Sequence, residues 1–208
     1  MGKNEPAYAH SKKVKKSPII LLALLIISTL VFSGCAAIYG SYSGDDPLTA
    51  EEHNNLGVIY EREGKYDLAV REYKRAISLD GELVVPLVNI GNVYFEKGDL
   101  EEAEEYYKKA LGKDKYNIEA ANNLASLYIE TGENYKEGLE ILLAATDTKD
   151  PVPAYVLDTL GVLYFKTGNP EKAKESLRES CIRAYGDERL KKEVTAHLAE
   201  LGERSGCE

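Results

Sequence analysis

The sequence predicts an all-α fold: a solenoid of about four helix-turn-helix units closed by a C-terminal capping helix. Two observations predict it. The first is a block that recurs along the chain, Leu56-Gly57-Val58-Ile59-Tyr60 returning as Ile90-Gly91-Asn92-Val93-Tyr94, Leu124-Ala125-Ser126-Leu127-Tyr128 and Leu160-Gly161-Val162-Leu163-Tyr164. Its small residues Gly57, Gly91 and Ala125 stand 34 positions apart, and Gly161 follows after 36. The second is that every block runs on to a turn glycine (Gly64, Gly98, Gly132, Gly168) and then to another apolar helical segment. A period of this length marks a stack of two-helix units, each of which buries its apolar face only against its neighbours.

The elements before the repeats read as an address and an anchor. Lys3, Lys12, Lys13, Lys15 and Lys16 face a single acid, Glu5, so residues 1–34 carry +4, and the formal net charge of −9 leaves −13 on the remainder. An apolar run over residues 19–32, broken only by Ser28 and Thr29, follows the lysines, which is the layout of a secretory signal. The run ends in Val31-Phe32-Ser33-Gly34-Cys35 and resembles the bacterial lipoprotein signal, with Phe32 where leucine is usual. That resemblance implies a diacylglycerol on Cys35 within a signal spanning residues 1–35. Ala36, rather than the aspartate of lipoproteins retained in the inner membrane, implies the outer membrane. An uncleaved helix over residues 19–38, about 20 residues long, is the alternative anchor and would just span a bilayer. Both arrangements leave the lysines in the cytoplasm and everything after Cys35 outside it. Residues 36–48, rich in Gly, Ser and Asp, then form a flexible spacer with a mean reach of roughly 20 Å.

In the second helix of each unit, small residues sit at Ala69 and Ala76, Ala103 and Ala110, Gly138 and Ala145, and Ala173 and Ser180, with Tyr73, Tyr107, Leu142 and Leu177 between them. The small residues let two antiparallel helices approach, and the large ones fill the groove against the next unit. With the recurring blocks, this pattern resembles the tetratricopeptide repeat family over residues 50–185. The resemblance implies a right-handed superhelix of four units, at about 50–83, 84–117, 118–153 and 154–186. Tryptophan is absent, its slot held by His53, Leu87, Ala121 and Leu157, and Gly81 and Lys115 replace the usual proline between repeats. His53 is expected to pack in the core in place of tryptophan.

Both ends of the array are finished. Thr49-Ala50-Glu51-Glu52 is a capping box. Within residues 187–208, Leu190, Val194, Leu198 and Leu201 form a one-sided stripe that would cover the last repeat, and His197 is expected to be exposed on this cap. Two extra residues fall between repeats three and four, one in Gly132-Glu133-Asn134-Tyr135 and one in the link containing Pro151 and Pro153, and they are expected to change the stacking angle there. Cys181 and Cys207 would meet an oxidising compartment. The cap helix runs back roughly 20 Å, whereas residues 203–207 reach about 16 Å at most. A bond between the two therefore requires the tail to fold fully back; a free or intermolecular Cys207 is the alternative.

In the resembled family the first helix of each repeat lines a concave groove. Carried over by position, the inner face is Asn54, Asn55, Val58 and Glu61, then Val88, Asn89, Asn92 and Phe95, then Asn122, Asn123, Ser126 and Ile129, then Tyr155, Asp158, Val162 and Phe165. Asn55, Asn89 and Asn123 occupy one equivalent position. An amide offers both a donor and an acceptor, so such a row matches an extended peptide backbone, with Phe95, Ile129, Tyr155 and Phe165 as apolar contacts. The face lacks lysines and does not resemble the subfamily that clamps a C-terminal carboxylate.

Composition and motifs narrow the function classes. A body of charge −13 would be repelled by phosphate backbones, which argues against nucleic acid as a partner. The three histidines, His10, His53 and His197, have no second histidine at metal-ligand spacing, and phosphate loops, nucleophile elbows and paired-cysteine motifs are absent from the sequence. The reading is therefore non-enzymatic, with no cofactor, no metal and no catalytic residue. It is a membrane-anchored scaffold that binds protein or peptide partners, similar to tetratricopeptide lipoproteins of type IV pilus assembly or cell-wall enzyme scaffolding. The alternatives are a self-associating homo-oligomeric envelope component and an accessory subunit of a pilus, secretion or polysaccharide export machine.

Overall fold

The structure, a computed structural model, describes residues 47–203 and 206–207. The expected signal, the Cys35 expected to carry the lipid and the expected spacer before Pro47 lie outside the described residues. Among the described residues there are nine α-helices and no strand: α1 (Ala50–Arg62), α2 (Tyr66–Leu79), α3 (Val85–Lys97), α4 (Leu100–Lys113), α5 (Ile118–Thr131), α6 (Tyr135–Thr146), α7 (Ala154–Lys166), α8 (Pro170–Arg183) and α9 (Glu188–Glu200). None of them is long and apolar enough to cross a membrane.

Helix ends are set by local chemistry. Thr49 starts α1 with the expected capping box: its backbone N–H donates to Glu52 Oε2 at 2.7 Å, and the Glu52 N–H donates to Thr49 Oγ1 at 3.2 Å. Asn117 and Asp187 cap α5 and α9 by accepting from Ala120 and Leu190. At the other end, Gly98 closes α3 in the left-handed region at φ 80°, where a Cβ would be strained. The extra residue after α5 is absorbed in the same way, Asn134 taking φ 53° directly before α6. The second helix of repeat three is accordingly shorter, 12 residues against the 14 of α2, α4 and α8.

Sequential helices pack in pairs, α1 on α2 through α7 on α8. Each first helix also touches the next first helix, so α1, α3, α5 and α7 form one continuous layer. The intimacy of each pair comes from a small residue facing a buried ring or leucine. A Cβ built on Gly57 would lie 2.4 Å from Tyr73 Cε1, one on Gly91 2.5 Å from Tyr107 Cε1, and one on Gly161 2.6 Å from Leu177 Cγ. Tyr73, Tyr107 and Leu177 are buried. In repeat three the equivalent pair is Ala125 and Leu142, both buried in one cluster, and the methyl on the first helix is matched by the loss of the ring on the second. The core then runs between units: Tyr73 packs with Ile90 and Val93 of α3, Tyr107 with Leu124 and Tyr128 of α5, and Leu142 with Val156 and Leu163 of α7.

His53 is fully buried, as expected of a residue in the tryptophan slot. Its Nδ1 lies 2.8 Å from Glu72 Oε2, while Arg71 donates to Glu72 Oε1 at 3.0 Å. Burial pushes the Glu72 carboxyl up, but the His53 and Arg71 hydrogen bonds outweigh it and hold the group below the usual carboxylate range.

The cap closes the array as its stripe predicts. Val194 and Leu198 are buried against Leu177, with Leu190 and Leu201 beside them. The Cys181–Cys207 disulfide is formed, with Cα atoms 5.2 Å apart. The folded-back tail that this bond requires is present. After Gly202 the chain reverses, the Cys207 N–H donates to Thr195 Oγ1 at 3.2 Å, and Cys207 Sγ reaches the Lys191 carbonyl, so the tail retraces about two turns of α9. His197 departs from expectation. It is half-buried rather than exposed, because α9 crosses the end of the first-helix layer and brings the ring onto Asp158 of α7.

Stability measurements check this packing. Gly91→Ala should destabilise the fold by about 1–3 kcal/mol through overpacking against Tyr107. Gly112→Ala, where a Cβ meets nothing within 4 Å, should stabilise it by up to about 1 kcal/mol. Adding Tyr107→Leu to Gly91→Ala reproduces the Ala125 and Leu142 pairing and should cost clearly less than the sum of the single changes in denaturant melts; strict additivity would count against the pairing. Cys181→Ser should lower stability by about 3 kcal/mol, the entropy of opening a loop of this length.

Candidate functional site: the concave face

The layer α1, α3, α5 and α7 presents the asparagines to one face, and the structure shows how they are held. Asn89 Nδ2 donates to Asn54 Oδ1 at 3.1 Å across repeats one and two, and Asn123 Nδ2 donates to Asn92 Oδ1 at 2.8 Å across repeats two and three. The Tyr107 hydroxyl, reaching between the helices from α4, also donates to Asn92 Oδ1, at 2.9 Å. Part of the amide capacity therefore stitches neighbouring repeats together. Asn92 Oδ1 accepts two of these bonds and has no lone pair left, whereas the Asn92 N–H groups and the Asn123 Oδ1 are not used by them.

Two cavities adjoin on this face. One, of about 290 Å³, is lined by Glu61, Asn92, Phe95, Glu96, Tyr107, Asn123 and Ser126. The other, of about 550 Å³, is lined by Val85, Val88, Asn89, Asn92, Asn117, Glu119, Asn122, Asn123 and Tyr155. Asn92 and Asn123 border both. Of the residues placed on the inner face from sequence, the structure thus gathers Val88, Asn89, Asn92, Phe95, Asn122, Asn123, Ser126 and Tyr155 at these cavities, with Asn54 bonded to Asn89. Glu61 of repeat one lines the smaller cavity as well, and the remaining inner-face residues line neither. Asn55 is exposed, Val58 and Ile129 pack against the core clusters, Phe165 lies at the surface beneath Lys166, and Asp158 is engaged by His197.

Positional reasoning missed Glu96, Glu119, Asn117, Val85 and the hydroxyl of Tyr107. A signal for two of them was present. Glu96 follows Asn92 by four, and Glu119 precedes Asn122 and Asn123 by three and four, so helical spacing alone puts them on the asparagine face. Tyr107 gave no such signal, since it belongs to a second helix and reaches the groove only because Gly91 lets the ring pass. The carboxylates are oriented by phenols: the Tyr66 hydroxyl donates to Glu96 Oε2 at 2.7 Å, and the Tyr73 hydroxyl donates to Glu61. Burial pushes the Tyr107 phenol up, and the charges of Glu61 and Glu96 add to it.

At the far end of the layer, His197 Nδ1 lies 2.8 Å from Asp158 Oδ1. The hydrogen bond to Asp158 raises the His197 pKa above its ordinary value, burial opposes it, and the charges of Asp158, Glu200 and Glu193 reinforce it. Among the described residues no group of acids, histidines and cysteines is arranged to hold a metal ion. The groove offers amides, carboxylates and apolar walls, which is equipment for recognition.

Comparison with known proteins agrees with this geometry. Tetratricopeptide repeat models match residues 50–83, 85–117 and 154–181. No curated protein matches the chain. Among solved structures, a Pseudomonas aeruginosa pilF structure is 24% identical and superimposes with a TM-score of 0.63, covering 73% of this chain and 68% of its own. The Thermus thermophilus protein TTC0263, described as a thermophilic TPR protein, is 16% identical with a TM-score of 0.60, covering 86% and 96%. A MamA structure is 23% identical with a TM-score of 0.55, covering 75% and 84%. At these identities the likeness is one of fold.

The His197 and Asp158 pair gives a pH-dependent prediction. A histidine whose folded pKa is raised contributes stability that is fully present below its unfolded value near 6.5 and is lost as pH rises through the folded value. The melting temperature of wild type should therefore exceed that of His197→Gln by more at about pH 5.5 than at about pH 8.5. Equal gaps at both would show that the pair does not hold the cap.

Proposed function

Because the chain is built of tetratricopeptide repeats, we propose that it works as a protein-binding scaffold tethered to the bacterial cell envelope, holding partner segments on the concave face of repeats two and three. The observation that carries this reading is the pair of adjoining cavities bordered by Asn92 and Asn123, whose amides are fixed by bonds between repeats that leave the Asn92 N–H groups and the Asn123 Oδ1 for a partner. Preorganised polar groups beside apolar walls lose little entropy when a partner docks. The anchor is the lipid on Cys35, supported by the Ser33-Gly34-Cys35 ending of the apolar run, with the outer membrane as the preferred location.

Self-association is a second reading, favoured by a separate observation. Ile182 is 72% exposed and Tyr185 94% exposed at the end of α8. Ile182, Leu157 and Tyr164 line a cavity of about 600 Å³ on that side. Light scattering on the full chain in detergent discriminates: a strict monomer at high concentration removes this reading.

Crosslinking in intact membranes tests the main proposal. Asn89→Ala with Asn123→Ala should remove partner adducts formed by wild type while leaving the circular dichroism spectrum unchanged, and an unaltered partner set would sink the groove reading. Mass spectrometry of the membrane form tests the anchor separately. The expected species begins at a diacylglyceryl Cys35, and an intact Met1 contradicts it.

A further inference from the structure

The chemistry of the two cavities is one-sided, and that selects a class of partner. The smaller one holds two carboxylates, Glu61 and Glu96, and no cation among its lining residues. Their hydrogen bonds come from neutral tyrosine hydroxyls, which orient the oxygens without cancelling their charge. Neither carboxylate is in an ion pair with another described residue, and the neighbouring Lys97 is turned to Asp67 and Asp99 instead. Phe95 adds an aromatic wall to this cavity. The larger cavity has a third acid, Glu119, and again no lysine or arginine.

A second, independent feature of the trough points to a ligand. Asn122, only 8% exposed, lines the larger cavity, and its Oδ1 has no hydrogen-bond partner. A buried acceptor left unpaired is destabilising, and an N–H brought to it would restore the missing hydrogen bond. Carboxylates that lack a cation and an acceptor that lacks a donor make the same demand. The occupant must bring donors and positive charge, with an apolar part for Val85, Val88 and Tyr155.

We propose that the concave face reads a basic segment of a partner protein: a lysine or arginine enters the cavity of Glu61 and Glu96, and an adjacent apolar side chain packs against Val85, Val88 and Tyr155 while a backbone N–H donates to Asn122. This rests on the groove reading above and gives it a specificity. It is the inverse of recognition by lysines of a C-terminal carboxylate, and it selects against acidic segments by repulsion from three carboxylates as well as for basic ones. Because Glu96 and Glu119 are exposed, the charge contribution is screened by salt.

Selection of displayed nine-residue peptides against the full chain in detergent tests the inference. Peptides recovered on wild type should carry lysine or arginine beside an aliphatic or aromatic residue. The best of them, synthesised with a fluorophore, should bind Glu61→Gln with Glu96→Gln about five- to tenfold more weakly, with a loss of affinity in high salt for wild type that is reduced in the variant. Glutamine keeps the tyrosine hydroxyls satisfied, so the variant should melt like wild type. Recovered peptides without a basic residue, or a basic peptide that binds wild type and variant equally, overturn the inference. If such neutral peptides lose binding on Asn89→Ala with Asn123→Ala, the groove reading stands and only its charge specificity falls. If no peptide is recovered, or none responds to either set of changes, both fall.

Discussion

The close approach of the two helices in each repeat, set by a residue without a side chain against a buried ring, is the constraint on which the rest of the structure depends. Gly57 and Gly91 admit the Tyr73 and Tyr107 rings to within a distance no Cβ could share. That approach brings each second helix close enough to present its ring to the first helix of the next repeat, so the core propagates along the array. It also delivers a polar consequence. A tyrosine passing so close to the first helix carries its hydroxyl through to the far side, where Tyr107 meets Asn92 and Tyr73 meets Glu61. The same ring therefore fills the core at one end and organises the concave face at the other.

Repeats three and four depart from this arrangement. With leucine instead of tyrosine at Leu142 and Leu177, these positions carry no phenol to the inner face. The inner face beyond Asn123 accordingly loses its phenol-oriented carboxylates, and what replaces them is Tyr155 on the wall and Asp158 tied to the cap by His197. The tyrosine-containing repeats supply the polar floor, and the leucine-containing ones supply closure. The cap is held by apolar burial, by the His197 and Asp158 pair and by the Cys181–Cys207 bond, three independent fastenings at the end where a solenoid has no further neighbour.

Most of the fold was legible in the sequence because it is repeated: small and large residues at a fixed period specify which faces meet. The capping box at Thr49 and the stripe of the last helix were legible for the same reason, being local patterns with a direct structural meaning. The groove was legible only in part. Equivalence of position within the resembled family located Asn89, Asn92 and Asn123, yet it could not show that Asn54 and Asn92 would accept bonds from the next repeat, since that depends on the rise between units. Asn55 was placed with the row by equivalence, but it stands at the open surface. His197 was misjudged because position on a cap helix suggests exposure, whereas contact with Asp158 is set by where α9 crosses α7. The Cys181 pairing turned on whether the tail reverses, which Gly202 permits but no pattern requires.

Photocrosslinking from single positions in living cells tests the central claim most directly. A benzoylphenylalanine placed at Ser126, on the concave face, and another at Lys109, on the solvated side of α4, sample the two faces of the same repeats under identical conditions. Recognition in the groove predicts discrete partner adducts from Ser126 and none from Lys109. Adducts from Lys109 with none from Ser126 would contradict it and move recognition to the convex surface.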